Sequence, residues 1–348
     1  MADTADTTAV TTADTPVSLR PGTPGRGENQ VPSSGTGVRR PGDRIFEFLS
    51  TGSATLITVI IAAIAIFLIL QAVPALARER DGILAFLTDG ERWNLEYATN
   101  DGGWMSFGIP NLFFTTVLVS LVALVIAMPV ALGIAVFLSN YCPARFVKPL
   151  GFLVDLLAAV PSIVFGIWGM QVLGPFYEWL SGWAGGFFLF DWQQGTSPAF
   201  STSRNIFTGG IVLAVMILPI IAATAREVFV QTPKGHVEAA LALGATRWEV
   251  VRMAVLPFGF SGYVSGAMLG LGRALGETMA LYMVIASAPG FRASLMDGGT
   301  TFATAIANAA PEFNDDLKAG AYIAAGLVLF VLTFVVNAAA RAVVANRK

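Results

Sequence analysis

One cysteine, Cys142, and one histidine, His236, are all that 348 residues hold of those two types. A lone cysteine excludes a disulfide within the chain, and a lone histidine cannot build the usual zinc or nucleophilic-triad constellations. Charge is scarce too: Lys, Arg, Asp and Glu make up 13% of the residues, about half the share of a soluble domain. A water-soluble globule does not fit that composition. The formal net charge of −2 offers nucleic acid no basic footprint. No Gly-x-x-x-x-Gly-Lys-Ser/Thr loop occurs, so the chain has no P-loop for ATP. What it has instead is 55% hydrophobic residues, gathered in uncharged runs long enough to cross a bilayer.

Residues 1–44 contain no aromatic side chain and are rich in Thr, Ala, Pro, Gly, Asp and Arg. They cannot bury enough apolar area to offset ordering entropy, so a disordered tail is expected there, followed by a membrane domain over 45–348. Because nothing apolar of sufficient length precedes Leu56, the first hydrophobic segment is expected to be retained rather than cleaved. Six segments have spanning length: within Phe48–Ala77, about Asn111–Leu138, from Lys148 to about Leu173, between Arg204 and Arg226, about Gly259–Ser287, and between Lys318 and Arg341. The expected fold is all-α and polytopic. With the tail inside, fourteen of the 21 Lys and Arg face the cytoplasm and six face outward, the last being Arg273 within the membrane. Basic loops stay inside, so both termini are expected to be cytoplasmic. Pro129, Pro161 and Pro219 lie well inside their spans and are expected to kink them.

The longest cytoplasmic connection is 226–257. Pro233 and Gly235 mark a turn there, Glu238 is expected to open a short Ala/Leu helix near the positive end of its dipole, and Gly244 to stop it. By itself this is a solvated amphipathic helix. The pattern Glu238-Ala239-Ala240, three residues, Gly244, nine residues, Ala254, one residue, Leu256-Pro257 resembles the EAA signature of ABC-importer permeases. Ala254 stands where that family has a larger aliphatic residue. The resemblance implies a coupling helix docked on a separate ATPase subunit, with Glu238, Ala239, Ala240 and Gly244 in the coupling role and Arg247 and Trp248 on the docking surface.

Arg273 and Glu277 are the costliest residues in the chain, since a charge at a membrane helix centre costs about 2.5–3.5 kcal/mol. Four apart on a continuous helix, they would share one face and could neutralise each other, although Arg before Glu is the weaker order. Gly262, Gly266 and Gly270 recur every four residues and mark a helix-packing stripe beside that face. Chemistry alone leaves two readings open. The pair is structural, or the arginine fork holds a passing tetrahedral oxyanion while Glu277 keeps that grip loose enough for release.

Gly272-Arg-Ala-Leu-Gly-Glu-Thr-Met-Ala280, with Leu157-Ala-Ala-Val-Pro-Ser-Ile-Val-Phe-Gly-Ile-Trp-Gly169, resembles phosphate ABC-importer permeases of the PstC type, over roughly residues 45–345. That resemblance implies a type I importer permease with a MetI-like core over about 107–345 and a prokaryotic inner-membrane location. It carries a phosphate-path role to Arg273 and Glu277 and places Asp155 where the family has an acidic residue, as path or gate, against a plain snorkelling or capping role. The implied partners are a second permease of the PstA type, two ATP-binding subunits that bind the ATP and Mg, an extracytoplasmic phosphate-binding protein, phosphate and membrane lipid. The chain itself would be a transport subunit, not an enzyme, with neither cofactor nor metal of its own. An importer of sulfate or molybdate, an ATP-independent anion channel or transporter, and a membrane enzyme using Asp155, His236 or Glu277 are the competing expectations.

Overall fold

The computed structural model describes residues 41–78, 82–89, 93–94, 106–176, 204–287, 295, 297–313 and 315–345. The tail expected over 1–44 lies outside the described residues as far as position 40. Pro41–Arg44, by contrast, are already helical. Proline at the first helical position and Asp43 in the first turn both favour a helix start, which explains the earlier boundary.

Two compact units divide the chain, Met1–Val59 and Ile60–Lys348. The described part of the first is the leading half of helix α1 (Pro41–Leu76), with every side chain from Gly42 to Val59 exposed. All that follows concerns the second. It holds α2 (Gly82–Thr88), two two-residue strands β1 (Trp93–Asn94) and β2 (Ser106–Phe107) paired antiparallel, and α3 (Pro110–Tyr141). Then come α4 (Ala144–Ala158), α5 (Ser162–Phe176), α6 (Ile206–Val230), α7 (Lys234–Ala242) and α8 (Arg247–Leu275). The chain closes with α9 (Met279–Val284), α10 (Phe302–Ala309) and α11 (Asp316–Ala345).

Among the described residues, five helices are long and apolar enough to span a bilayer: α1, α3, α6, α8 and α11. The α4–α5 pair is long and apolar enough only when its two helices are taken together, and it is bent by 90°, as a broken span or a re-entrant loop is. The third span expected from Lys148 to about Leu173, kinked at Pro161, is instead two separate helices at a right angle. Pro161 removes a backbone N–H and pushes Val160 out of the helical region, and the chain turns there. Pro129 and Pro219, in contrast, sit inside continuous helices.

The 25-residue α6 is hydrophobic all round and is the most enclosed span. It packs chiefly against α3 and α8. On α3, Ala123, Ala127, Ala131 and Ala135 are fully buried at a spacing of four, a smooth seam that lets backbones approach without a hydrophobic drive from lipid. On α8, Gly262, Gly266 and Gly270 face α6: a Cβ at 266 would stand 3.0 Å from Thr224 Cβ, and one at 270 would stand 3.0 Å from Ile221. A second core joins Ala72 and Ala75 of α1 to Phe86, Phe107, Leu112, Phe302 and Ala321.

Candidate functional site: two broken helices and a docking face

The fifth apolar segment is not the continuous helix expected from 259 to 287. It ends at Leu275, Gly276 caps it, and Glu277 and Thr278 are non-helical before α9 begins. Glycine stops a helix at low cost, and the two residues after it release the chain from the 3.6-residue period. Arg273 and Glu277 therefore do not share a helical face and make no ion pair with each other.

Each charge instead completes a helix end. Glu277, 8% exposed, accepts a hydrogen bond from the Ala280 N–H at 3.1 Å, so its carboxylate caps the N-terminus of α9. Orphan N–H groups and the positive end of the helix dipole stabilise an anion there. Half-buried Arg273 donates from Nη1 to the carbonyl of Ala158, the last residue of α4, at 3.5 Å. A cation at a helix C-terminus is likewise favoured. Its remaining donors have no hydrogen-bond partner among the described residues.

The second break lies directly against the first. Gly166 of α5 is so close to α9 that a Cβ would meet Ala280 Cα at 3.0 Å, and Gly169 lies against Val212 and Val284. The two stretches 157–169 and 272–280, more than a hundred residues apart in sequence, thus form one junction. Asp155 is exposed on α4, one turn before Ala158, with no ion-pair partner among the described residues.

The loop 226–257 folds as a helix, a tight turn and a second helix. Pro233 precedes α7, which starts at Lys234 rather than at Glu238. Glu238 is its fifth residue, beyond the first turn, so the dipole argument for that side chain does not apply. Gly244 has φ +84°, a left-handed conformation that glycine adopts without a Cβ penalty. A reciprocal capping box then opens α8: Glu249 N–H donates to Thr246 Oγ1, and Thr246 N–H donates to Glu249 Oε2 at 2.7 Å.

No residue of α7 is buried. Ala239, Ala240, Ala254 and Pro257 all line one cleft of about 500 Å³, so both halves of the signature converge. Glu238, Arg247 and Trp248 stand exposed around it. Leu243 is 91% exposed and Met253 59%, an apolar display that marks an interaction surface.

Two arginines escaped the sequence reading. Arg204 donates from Nη2 to the carbonyls of Tyr282 and Ile285, at 3.2 and 3.4 Å, and so holds the C-terminal end of α9. Its signal was only a cation directly before an apolar run. Arg226 of α6 lies against Gly151 of α4, where a Cβ would come within 2.9 Å of its Cζ. His236 lines the same cleft as Ala239 and Ala240, and among the described residues it forms no cluster with Asp155 and Glu277.

The family model described as binding-protein-dependent transport system inner membrane component matches residues 33–348. A Mycobacterium tuberculosis protein named phosphate transport system permease protein PstC 2 is 52% identical over 88% of this chain and 93% of its own length. The Mycobacterium leprae phosphate transport system permease protein PstC is 51% identical over 90% and 96%, and the Mesorhizobium japonicum protein of the same name 37% over 86% and 89%. Among solved structures, a chain of the inward-facing MetNI methionine ABC transporter aligns with TM-score 0.52 and 18% identity over 69% of this chain and 95% of that one. A chain of a bacterial ABC transporter involved in import of the acidic polysaccharide alginate aligns with TM-score 0.53 and 16% identity over 88% and 99%. Those two likenesses show the fold alone, an all-α architecture shared with those transporter chains. On sequence, the chain belongs to the binding-protein-dependent transport system inner membrane components, among the permeases of the PstC type.

Proposed function

We propose that this chain forms one half of the translocation path of an ATP-driven phosphate importer. It would pair with a second permease of the PstA type, receive phosphate from an extracytoplasmic binding protein, and dock one of two ATPase subunits through α7. ATP and Mg belong to those subunits, and no covalent chemistry occurs in this chain. Both termini would lie in the cytoplasm, the orientation that the lysine and arginine distribution favours.

The observation that carries the reading is Arg273. A half-buried guanidinium is held at the junction of two broken helices by a single long bond to Ala158, with its other donors uncommitted. A tetrahedral oxyanion offers the bidentate acceptor geometry that this fork matches, and in a water-poor setting such bonds are about twice as strong as neutral ones. When the anion leaves, the Ala158 carbonyl takes the guanidinium back. Glu277 does not neutralise the arginine in this state. Its carboxylate is engaged by α9, which leaves the positive charge available to cargo. Asp155, one turn from Ala158, is placed to repel an anion that lingers, giving it a gate role.

The test is radiolabelled phosphate uptake by the complete complex in proteoliposomes, with loaded binding protein outside and ATP inside. ATP-dependent accumulation competed by phosphate and not by sulfate or molybdate supports the reading. Competition by sulfate or molybdate at similar concentration would replace phosphate by another oxyanion. Uptake by the permease pair without ATPase would overturn the importer reading altogether.

A further inference from the structure

A cleft of about 450 Å³, with polar groups set in a largely apolar lining, lies at the C-terminal end of α9, opposite the end that Glu277 caps. Arg204, Tyr282, Ser287, Thr300 and Asn308 contribute polar groups to it. Arg204 is the one charged residue among the described residues of the lining. Its Nη2 serves the two carbonyls of α9, while Nη1 and Nε, three N–H donors, have no hydrogen-bond partner among the described residues. Ser287 and Thr300 hydroxyls stand 3.1 Å apart, and Tyr282 Oη donates to Asn308 Oδ1 at 3.4 Å. Hydroxyl hydrogens rotate to suit, so both pairs can turn a donor toward a guest. A cleft with one fixed positive charge and no carboxylate on its described lining selects anions.

Position adds to chemistry. Arg204 precedes the N-terminus of α6, and the docking helix α7 follows its C-terminus 25 residues on, a helix length of about 37 Å. The cleft is therefore at the membrane face remote from the docking surface. We infer that it is an outer waiting site for the tetrahedral oxyanion, occupied before the anion reaches Arg273. This rests on the importer reading above. The cavity exceeds a bare phosphate several-fold in volume, so the anion sits there with part of its water and is held weakly. Conduction requires such a site, one favourable enough to enter and loose enough to leave.

The sole cysteine makes the test direct. In the complete complex in nanodiscs, Ser287→Cys is placed in a Cys142→Ser background, and its modification on this chain is followed by mass spectrometry. An anionic and a cationic methanethiosulfonate are compared, each normalised to its rate with a free thiol. The anionic reagent is expected to react at least about fivefold faster, since a unit charge about 4 Å away gives about sixfold in favour of an anion and about sixfold against a cation even in water. Millimolar inorganic phosphate slows it more than chloride of equal ionic strength. Arg204→Gln abolishes both effects, and Arg204→Lys, which keeps the charge and can still serve the carbonyls, retains the preference. Equal rates for the two reagents, or slowing by phosphate no greater than by chloride, would overturn the proposal. Phosphate uptake is measured on the Cys142→Ser complex in parallel. Uptake without protection removes the waiting site and leaves the importer, while protection without uptake does the reverse.

Discussion

At the docking face, Leu243 is 91% exposed and Trp248 58%, and no residue of α7 is buried. Where α4 and α5 meet α8 and α9, Glu277 is 8% exposed, and glycines admit backbone to within van der Waals contact. Both regions are built around helix ends. In the first, capping is local: Gly244 and the Thr246–Glu249 box finish the ends within the segment, which leaves the apolar side chains free for a partner. In the second, Glu277 caps α9 locally, but the C-terminal ends are completed by charges from distant sequence, Arg273 on α4 and Arg204 on α9. A locally closed motif can be moved as a rigid handle. A junction closed by long-range charge contacts changes whenever a competing charge arrives.

That contrast predicts how each region breaks. The largest effect is expected from Leu243→Asp, which places a charge on the face proposed to dock the ATPase. Copurification of the ATPase subunits should be lost, while the stability of the permease itself changes by no more than about 0.5 kcal/mol, as for any exposed site. Size-exclusion profiles with and without the ATPase read both quantities. Gly266→Leu should do the opposite, lowering thermal stability by about 1–3 kcal/mol through overpacking against Thr224 and Ile221. A fluorescence-monitored melt of the detergent-solubilised complex detects it.

Glu277→Ala removes the cap of α9 and should cost about 1–2 kcal/mol in the same melt. Glu277→Gln, which keeps a carbonyl acceptor for Ala280, should lose about half of that. Equal losses would mean that charge, not capping, is what Glu277 supplies. The smallest effect belongs to Gly244→Ala, with no neighbour within 4 Å and only the left-handed backbone to oppose it. Faster hydrogen exchange across 234–249, equivalent to about 1 kcal/mol, is expected.

Much of the molecule could be read from its residues. The apolar stretches, the turn at Pro233, the stop at Gly244 and the four-residue glycine period all depend on neighbours close in sequence. The 90° bend at Pro161 did not, because proline in a membrane helix either kinks it, as a continuous helix tolerates at Pro129 and Pro219, or breaks it, depending on what packs around the freed carbonyls. The end of α8 at Gly276 was hidden for a related reason. Read as one helix, Arg273 and Glu277 formed a pair, and only the break shows them serving separate helix ends. Arg204 was illegible as a site residue, since the carbonyls it holds lie 78 and 81 residues away. The seam at Ala123, Ala127, Ala131 and Ala135 was present in the letters, but in so alanine-rich a chain its period does not stand out.

The central claim is that the Arg273 guanidinium is committed to cargo rather than to packing. The decisive measurement compares Arg273→Gln with wild type in the reconstituted complex, reading phosphate uptake and ATP hydrolysis together. Loss of a charge-assisted bond predicts uptake reduced by at least about tenfold, with assembly intact and ATP hydrolysis continuing. Wild-type uptake by the glutamine variant, or loss of assembly together with uptake, would contradict the account and return Arg273 to a structural role.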